Sequence, residues 1–339
     1  TSNPNLTCIN VDDVNYSTNN WTNIDAQHYF STNCQTYVPD DNFEAYLEAN
    51  GMGNGIANDD SVTTSNIVGI TFLNISSKVI SDLTGIEDFS ALTALLCNSN
   101  QLTSLDVSHN TALTDLRCGL NQLTILDISQ NTTLTDLHCY SNQLTSLDVS
   151  QNTALTYLYC NSNQLTSLDL GHNTALTNLN CGLNQLTSLD LSQNTALTVL
   201  SCESNQLTTL DLSQNTALTV LNCNSNQLTS LDVSNNTALT NFRCNSNPLT
   251  SLDVSNNTTL TDLLCYSNQL TSLDVSQNTA LTFLSCSYNS LTNLDVSNNT
   301  ALIELYCNYN QLNSLDVRNG NNQNLLNFNV TSNPNLTCI

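Results

Sequence analysis

Residues 112–132 read ALTDLRCGLNQLTILDISQNT, and residues 133–153 repeat the same framework as TLTDLHCYSNQLTSLDVSQNT. About eleven such units of 21 residues follow one another over residues 91–320 with almost no insertion. Within each half of a unit, apolar residues stand two positions apart, so they point to the same side of an extended segment. A fixed period of this length indicates a solenoid, in which each coil buries its apolar side against the neighbouring coils.

The spacing within one unit predicts two short extended segments in each coil. In the first half, Leu116 and Cys118 face inward and Arg117 faces outward. In the second half, Leu126 faces inward and Asp127 faces outward. Coils stacked about 4.8 Å apart are therefore expected to carry parallel ladders on two faces.

Asparagines recur at the two corners of each unit, as Asn121 and Asn131 do in the unit quoted above. A side-chain amide at a bend can bond to main-chain groups, and identical amides can stack into a ladder from coil to coil. We interpret these asparagines as framework residues that need no ligand.

The LxxLxCxxNxL core resembles that of leucine-rich repeats, whose period is about 20–29 residues. The short unit, with a second half that reads LTSLDVSxN, is similar to that of secreted cell-surface proteins of the Bacteroidota, internalin-like and BspA-like in general character. The resemblance covers residues 62–339, and the segment PDDNFE at 39–44 resembles their N-terminal cap. It implies a right-handed leucine-rich-repeat solenoid with parallel β-ladders, mostly strand and loop, with a short helical cap. It also implies an extracellular location at the cell surface and type IX secretion.

The same nine residues, TSNPNLTCI, stand at positions 1–9 and 331–339. Chance does not explain such a match, so we interpret the chain as one period of a tandem array with neighbouring copies in one long protein. Residues 1–37 are then expected to close a preceding repeat domain. Residues 38–61 form the helical N-terminal cap, and residues 62–339 form the solenoid, with degenerate coils at its ends.

The predicted cap helix begins at Asp40 or Asp41 and buries three side chains, Phe43, Tyr46 and Leu47. Degenerate entry coils follow the cap, and their apolar residues are Ile67, Ile70, Phe72, Ile80, Leu83 and Ile86.

Eleven of the fourteen cysteines recur every 21 residues, and we call them the cysteine column: Cys97, Cys118, Cys139, Cys160, Cys181, Cys202, Cys223, Cys244, Cys265, Cys286 and Cys307. Neighbours in such a column are nearly 5 Å apart, outside the ~3.8 Å between Cβ atoms that a disulfide requires, so we expect buried thiols. Cys8 and Cys34 flank a non-repeating stretch that contains Trp21, and we predict a disulfide between them, which suits a secreted protein. Cys338 corresponds to Cys8, so its partner is expected in the following module.

The net charge is −24, because only four basic residues accompany 28 acidic ones. Nucleic acid and anionic membranes both require clustered cations, so they are excluded as partners. No apolar run approaches the roughly 18 residues of a membrane span, so no direct membrane insertion is expected.

One aspartate recurs at the same outward position of the second half, and we call this series the aspartate column: Asp106, Asp127, Asp148, Asp169, Asp190, Asp211, Asp232, Asp253, Asp274, Asp295 and Asp316. Stacked like charges repel, so another interaction must offset them. Hydrogen bonds from neighbouring hydroxyls or backbone amides are one explanation. Calcium held loosely by Asp106, Asp127, Asp148, Asp169 and Asp190 is the alternative, and no other metal or cofactor is predicted.

The outward positions of the first half vary far more from unit to unit, and leucine-rich-repeat proteins generally bind through this face. Exposed aromatic residues are the usual anchors of protein interfaces and sugar-binding platforms. Two groups of aromatic residues are therefore candidate binding sites: Tyr140, Tyr157 and Tyr159 in one, and Phe283, Tyr288, Tyr306 and Tyr309 in the other.

Catalysis is not predicted, because the four histidines His28, His109, His138 and His172 are isolated and no Ser-His-Asp spacing or phosphate-binding glycine loop is present. The predicted function is adhesion, or recognition of proteins or glycans of another cell surface, by a non-enzymatic module of a very large secreted cell-surface protein. A structural strut or self-assembling, homo-oligomeric subunit of an extracellular filament or appendage is the alternative. Ice binding by a flat Thr/Ser array is a third hypothesis, which the aspartate column opposes.

Overall fold

The structure is a computed structural model that describes residues 8–24, 28–31 and 33–337. The chain divides into two compact units, Thr1–Thr133 and Leu134–Ile339. Within the described residues, no helix has the length and apolar character that crossing a membrane requires. Residues 1–7, Cys338 and Ile339 lie outside the described part, so the tandem array and the domain boundaries stay predictions.

The first unit opens with a small parallel pair of strands, β1 (Cys8–Asn10) and β2 (Tyr29–Ser31). Helix α1 (Val14–Asn20) lies between them in the sequence, and the Asp13 carboxylate accepts the Tyr16 backbone amide at its N-terminus. The sulfurs of Cys8 and Cys34 are bonded to each other, so the predicted disulfide is confirmed.

The cap consists of β3 (Gln35–Tyr37), α2 (Asp41–Ala49), β4 (Ser61–Thr63) and α3 (Thr64–Ile67), with β3 and β4 antiparallel. Asp40 is the N-cap of α2, as predicted. Its Oδ1 accepts the amides of Asn42 and Phe43, and its Oδ2 accepts the Ser81 amide at 2.8 Å and the Ser81 hydroxyl at 2.9 Å. Although burial opposes the effect, these hydrogen bonds lower the pKa of Asp40. One carboxylate thus starts the helix and ties it to the first coils.

Phe43 and Leu47 are buried on the inner side of α2, and Phe43 stacks on Phe89 with ring centroids 6.2 Å apart. The expectation that Tyr46 is buried with them was wrong. Tyr46 is only half-buried, because it lies at the edge of the buried side of the helix. The ammonium group of Lys78 lies 5.4 Å from the centre of its ring.

The coils of the first unit contribute three parallel strands, β5 (Phe72–Asn74), β6 (Ala94–Leu96) and β7 (Asp115–Arg117). In the entry coils Ile67, Ile80, Leu83 and Ile86 are buried. Phe72 is instead 58% exposed, because it occupies an outward position of β5 and Leu73 takes the inward one.

The strands of the second unit follow the same plan, and they are β8 (Asp136–His138), β9 (Tyr157–Tyr159), β10 (Asn178–Asn180), β11 (Val199–Ser201), β12 (Val220–Asn222), β13 (Asn241–Arg243), β14 (Asp262–Leu264), β15 (Phe283–Ser285), β16 (Asn293–Asp295), β17 (Glu304–Tyr306), β18 (Ser314–Asp316) and β19 (Asn327–Asn329). From β8 to β15 each strand pairs in parallel with the next, and β17 and β19 extend the same sheet. The middle residue of nearly every strand is buried and its two neighbours face outward. The predicted leucine-rich-repeat solenoid, a parallel β-fold of mostly strand and loop, is confirmed.

The second half of the coil differs from the prediction of a continuous second ladder. Among the described residues it forms strands only at β16 and β18, which pair with each other, and an isolated bridge joins Asp106 to Asp127. The chain turns soon after each column aspartate: the Ser192 amide bonds to its own coil's Asp190, and the Asn194 amide to Leu191 O. These amides are satisfied within one coil, so they do not form a ladder with the next coil.

The corner asparagines act as predicted. Nδ2 of Asn121 donates to the main-chain oxygens of Cys97 and Cys118, while its Oδ1 accepts the Leu102 amide at 3.0 Å. At the other corner, Nδ2 of Asn131 donates to two main-chain oxygens at 2.9 Å. Each amide thus bridges its own coil to the preceding one through buried hydrogen bonds.

The cysteine column consists of buried thiols, as predicted. Burial raises the pKa of Cys118 and of Cys160 to about 12. A thiol with such a pKa is almost entirely protonated at neutral pH, so it neither attacks disulfides nor binds metals readily. The column is therefore part of the core.

Candidate recognition surface

The outward positions of the first-half strands form what we call the strand face: the first and third residues of β8 to β15 and of β17. Their side chains differ from coil to coil, whereas the inward Leu and Cys positions remain nearly constant. Because strand residues alternate between two sides, this variation is confined to one side of the sheet. Within the second unit, the strand face is thus the surface whose side chains vary enough to recognise a particular partner.

The first aromatic group is only partly brought together. Tyr157 and Tyr159 are the outward residues of β9, whereas Tyr140 lies two residues beyond β8 and is half-buried. The ring of Tyr159 contacts His138 instead, with centroids 4.6 Å apart. His138 was missed as a member of this group, although its 21-residue offset from Tyr159 makes the two direct register partners on neighbouring strands.

The second aromatic group forms two pairs of rings across the same two coils. Phe283 on β15 and Tyr306 on β17 have ring centroids 5.7 Å apart. The Tyr306 hydroxyl donates to Glu304 Oε2 at 3.0 Å, and this hydrogen bond to a carboxylate raises the pKa of Tyr306. Both side chains are half-buried, so they extend the surface and remain in contact with solvent.

Tyr288 and Tyr309 form the second pair, which we call the tyrosine stack. Their rings are nearly parallel, 12° apart with centroids at 4.4 Å, although the side chains are 52% and 49% exposed. Desolvation, and then the neighbouring Tyr309, raises the pKa of Tyr288.

The tyrosine stack stands where the backbone is left-handed, with φ of 53° at Tyr288 and 54° at Tyr309. The corresponding position is left-handed in the other coils too: two carry leucine, Leu120 and Leu183, and the rest carry serine, namely Ser99, Ser141, Ser162, Ser204, Ser225, Ser246 and Ser267. Left-handed backbone disfavours side chains with a Cβ by roughly 1 kcal/mol, and a bulky residue there is uncommon. Half of each tyrosine faces solvent, so packing explains little of this departure from the repeat. Because every coil shares this backbone conformation, the feature particular to these two coils is the exposed pair of aromatic rings, and such rings are common anchors of protein interfaces.

The aspartate column is explained by local hydrogen bonds. Oδ1 of Asp190 accepts the backbone amide of Ser192 at 2.9 Å, and Asp211 and Asp232 accept the serine amides two residues on at the same distance. The backbone and hydroxyl groups of Ser192 lower the pKa of Asp190. These bonds offset the repulsion as expected, and calcium on the column stays a prediction.

An open groove of about 850 Å³ lies along the aspartate column in the last coils, beside Asp274, Asp295 and Asp316. Arg318 donates to both carboxylate oxygens of Asp316 and lowers the pKa of that carboxyl to about 2. The described residues that line this groove include no aromatic side chain, whereas Phe283 and Tyr306 lie on the strand face and the tyrosine stack follows the same two strands. The strand face with the tyrosine stack is therefore the better candidate for recognition.

No family model matches the chain. The functional domain of InlJ from Listeria monocytogenes, which includes a cysteine ladder, has the same architecture with a TM-score of 0.80. It is 38% identical to this chain over 91% of this chain and 75% of that domain. The chain is an internalin-like leucine-rich-repeat protein.

Other relatives of this internalin-like chain are similar over different spans. Internalin J of Listeria monocytogenes serotype 4b (strain F2365) is 38% identical over 75 residues, which are 22% of this chain and only 8% of that protein. An internalin, InlF, from strain F2365 of the same species is 24% identical, covers 87% of this chain and 90% of its own, and has a TM-score of 0.79, which shows the shared fold. Internalin-like homologues are surface or secreted proteins, and their solenoid commonly mediates protein–protein recognition and is typically non-enzymatic.

Proposed function

We propose that this chain is a non-enzymatic recognition module that binds a protein on another cell surface through its strand face together with the tyrosine stack, whose residues lie three positions beyond β15 and β17. The observation that carries the proposal is the tyrosine stack, in which Tyr288 and Tyr309 expose two parallel rings at backbone positions that favour small residues. Tyrosine anchors bury a large area with little loss of conformational entropy, and residues of this type dominate the binding energy of many protein interfaces. Phe283 and Tyr306 in the same two coils extend the apolar area.

The module works, in this proposal, as one link of a very large, secreted cell-surface adhesin. The identical nonamers at 1–9 and 331–339 support a tandem array, and linked modules rebind at high effective concentration, so weak individual contacts are sufficient. The LTSLDVSxN unit supports a Bacteroidota-type parent protein exported by the type IX route. The same nonamers also favour the second candidate, a strut or filament subunit whose contacts are with its own copies.

The first experiment compares the chain with a double variant, Tyr288→Ser and Tyr309→Ser, on an array of cell-surface proteins and on a glycan array. Serine is the residue that most other coils carry at this position, so the variant is expected to fold normally. We expect the wild-type chain to bind protein targets and the variant to bind at least ~10-fold more weakly, since each anchor contributes about 2 kcal/mol.

A matched control places alanine at the same coil position elsewhere, as Ser225→Ala with Ser246→Ala, and is expected to bind like the wild type. Binding that survives removal of the stack would contradict the proposal, as would binding confined to the glycan array. Sedimentation of the wild-type chain and of the tyrosine double variant tests the second candidate, which requires the wild-type chain to self-associate.

A further inference from the structure

Three carboxylates converge at the outer edge of the cap. Asp41 and Glu44 lie on the first turns of α2, and Asp60 directly precedes β4. One oxygen of each lies within 4.8 Å of the other two. Asp41 and Asp60 are exposed, whereas Glu44 is buried.

Glu44 has an oxygen that the described residues leave unsatisfied. Its side chain is only 1% exposed, and its Oε1 accepts the Asp59 amide at 3.1 Å. Its Oε2 is out of reach of solvent, and no group in the described part of the chain donates to it. Burying a carboxylate oxygen without compensation is strongly unfavourable, so this oxygen requires a hydrogen-bond donor or a cation.

On the next turn of the same helix, the carboxylate of half-buried Glu48 has hydrogen-bond donors for both of its oxygens. Oε1 of Glu48 accepts the Asn54 amide at 2.6 Å and Oε2 accepts the Gly55 amide at 3.0 Å. Both oxygens of Glu48 are therefore satisfied by the loop. The loop supplies only one amide to Glu44, through Asp59, and places a second carboxylate, Asp60, beside it instead.

We propose that Asp41, Glu44 and Asp60 bind one calcium ion. Three carboxylates form an all-oxygen ligand set that suits a hard cation, and two exposed members leave room for water to complete six to eight ligands. Magnesium requires a nearly ideal octahedron and keeps several waters, so an irregular cluster with one buried oxygen favours calcium. The strongly negative chain further raises the local concentration of cations.

The ion connects the start of α2 to the end of the loop that precedes β4. It satisfies Glu44 Oε2 and removes the repulsion among the three carboxylates. A ligand that binds only the folded cap stabilises it by mass action, so calcium is expected to raise the melting temperature. With three protein carboxylates and an exposed position, the dissociation constant is expected to be on the order of 10⁻⁴–10⁻³ M.

The test is calorimetric titration of the whole, chelator-treated chain with calcium chloride, together with thermal unfolding in calcium and in chelator. We expect one calcium ion per chain and a rise in melting temperature of at least about 2 °C. Asp60→Asn and Asp41→Asn, both at exposed positions, are expected to weaken binding at least ~10-fold. Glu44→Gln is expected to abolish it.

Glu48→Gln is the matched control: it lowers stability, because Glu48 supports the loop, but it retains a calcium response. Magnesium at the same concentration is expected to bind at least ~10-fold more weakly. The proposal is overturned if no calcium binds, or if binding is unchanged in Asp60→Asn. It is also overturned if several ions bind and the response disappears in Asp190→Asn with Asp211→Asn, which would place calcium on the aspartate column.

Discussion

Gly53 lies against the carboxylate of Glu48 so closely that a Cβ at Gly53 would overlap both carboxylate oxygens. The carboxylate cannot move away without loss, because it accepts the amides of Asn54 and Gly55. The glycine and the glutamate thus form one structural element, in which the missing side chain of one leaves room for the hydrogen-bonded side chain of the other.

Gly53→Ala is therefore expected to displace Glu48 and to leave the amides of Asn54 and Gly55 without their acceptor. We expect the free energy of unfolding of the cap to fall by about 1–3 kcal/mol, measured by urea denaturation. Gly69→Ala is the control, since a Cβ there meets nothing within 4 Å, and its effect is expected to stay within ~0.5 kcal/mol. Equal effects of the two substitutions would contradict this account.

The second corner amide gives a prediction in the core of the second unit. Nδ2 of Asn194 donates to Leu170 O at 3.1 Å and to Asn173 O at 2.9 Å, and the residue is fully buried. Asn194→Ala leaves both carbonyls without this donor, so we expect a loss of about 2–4 kcal/mol. Asn194→Asp is expected to be worse at pH 7, because it faces two carbonyl oxygens with a carboxylate.

Urea denaturation at pH 7 and pH 5 measures both corner variants. The deficit of Asn194→Asp is expected to shrink as pH falls, because a protonated carboxyl can donate one hydrogen bond. The exposed neighbour variant Gln193→Ala is expected to behave like the wild type. An aspartate variant as stable as the wild type at pH 7 would show that the amide donors do not hold the coils together.

The cysteine column is expected to be inert in the folded protein and sensitive to polarity. Burial raises the pKa of Cys160 to about 12, so thiol reagents at pH 8 should label the column only after unfolding. Cys202→Ser places a hydroxyl at a fully buried position and is expected to cost about 1–3 kcal/mol. Cys202→Ala, which leaves only a small cavity, is expected to cost less. If Cys202→Ser lowers the stability no more than Cys202→Ala does, the predicted sensitivity to polarity is wrong.

The aspartate column predicts the acid sensitivity of the solenoid. Hydrogen bonds from Ser192 hold the pKa of Asp190 below its ordinary value. Hydrogen bonds from the serines two residues on lower the pKa of Asp253 and of Asp274 in the same way. A carboxyl whose pKa is lower in the folded state contributes stability above its unfolded pKa of about 4, and that contribution is lost as pH falls through the folded pKa.

The urea midpoint of the wild-type chain is thus expected to decrease from about pH 4 downward. Asp190→Asn keeps an oxygen acceptor for the Ser192 amide but has no titrating group, so it is expected to show a smaller decrease. A midpoint that is constant or rises between pH 5 and pH 3 would mean that relief of the −24 net charge outweighs these bonds.

Much of the solenoid could be predicted because every coil repeats the same spacing of apolar residues and corner asparagines. Leu116 and Cys118 are two residues apart, so one extended segment must bury both, and Asn121 stands where the chain has to bend. Repetition at 21 residues then determines the pairing, since each strand meets its copy in register. The disulfide of Cys8 with Cys34 was also predictable, because both lie outside the period.

Two kinds of feature could be read only from the tertiary structure. One is the choice between alternative hydrogen-bond acceptors for the same amide, and the other is the path of a loop that does not repeat. The amide of Ser192 could bond to the next coil or to Asp190, and the carboxylate two residues away is the nearer acceptor, so the second ladder is largely absent from the described residues. The convergence of Glu44 with Asp60 depends on the path of the loop between α2 and β4, which no repeat specifies. Sequence periodicity therefore determines the conformation of each coil and the pairing of its first strand. The structure of the cap, where the chain does not repeat, is determined by contacts between residues that are distant in the sequence.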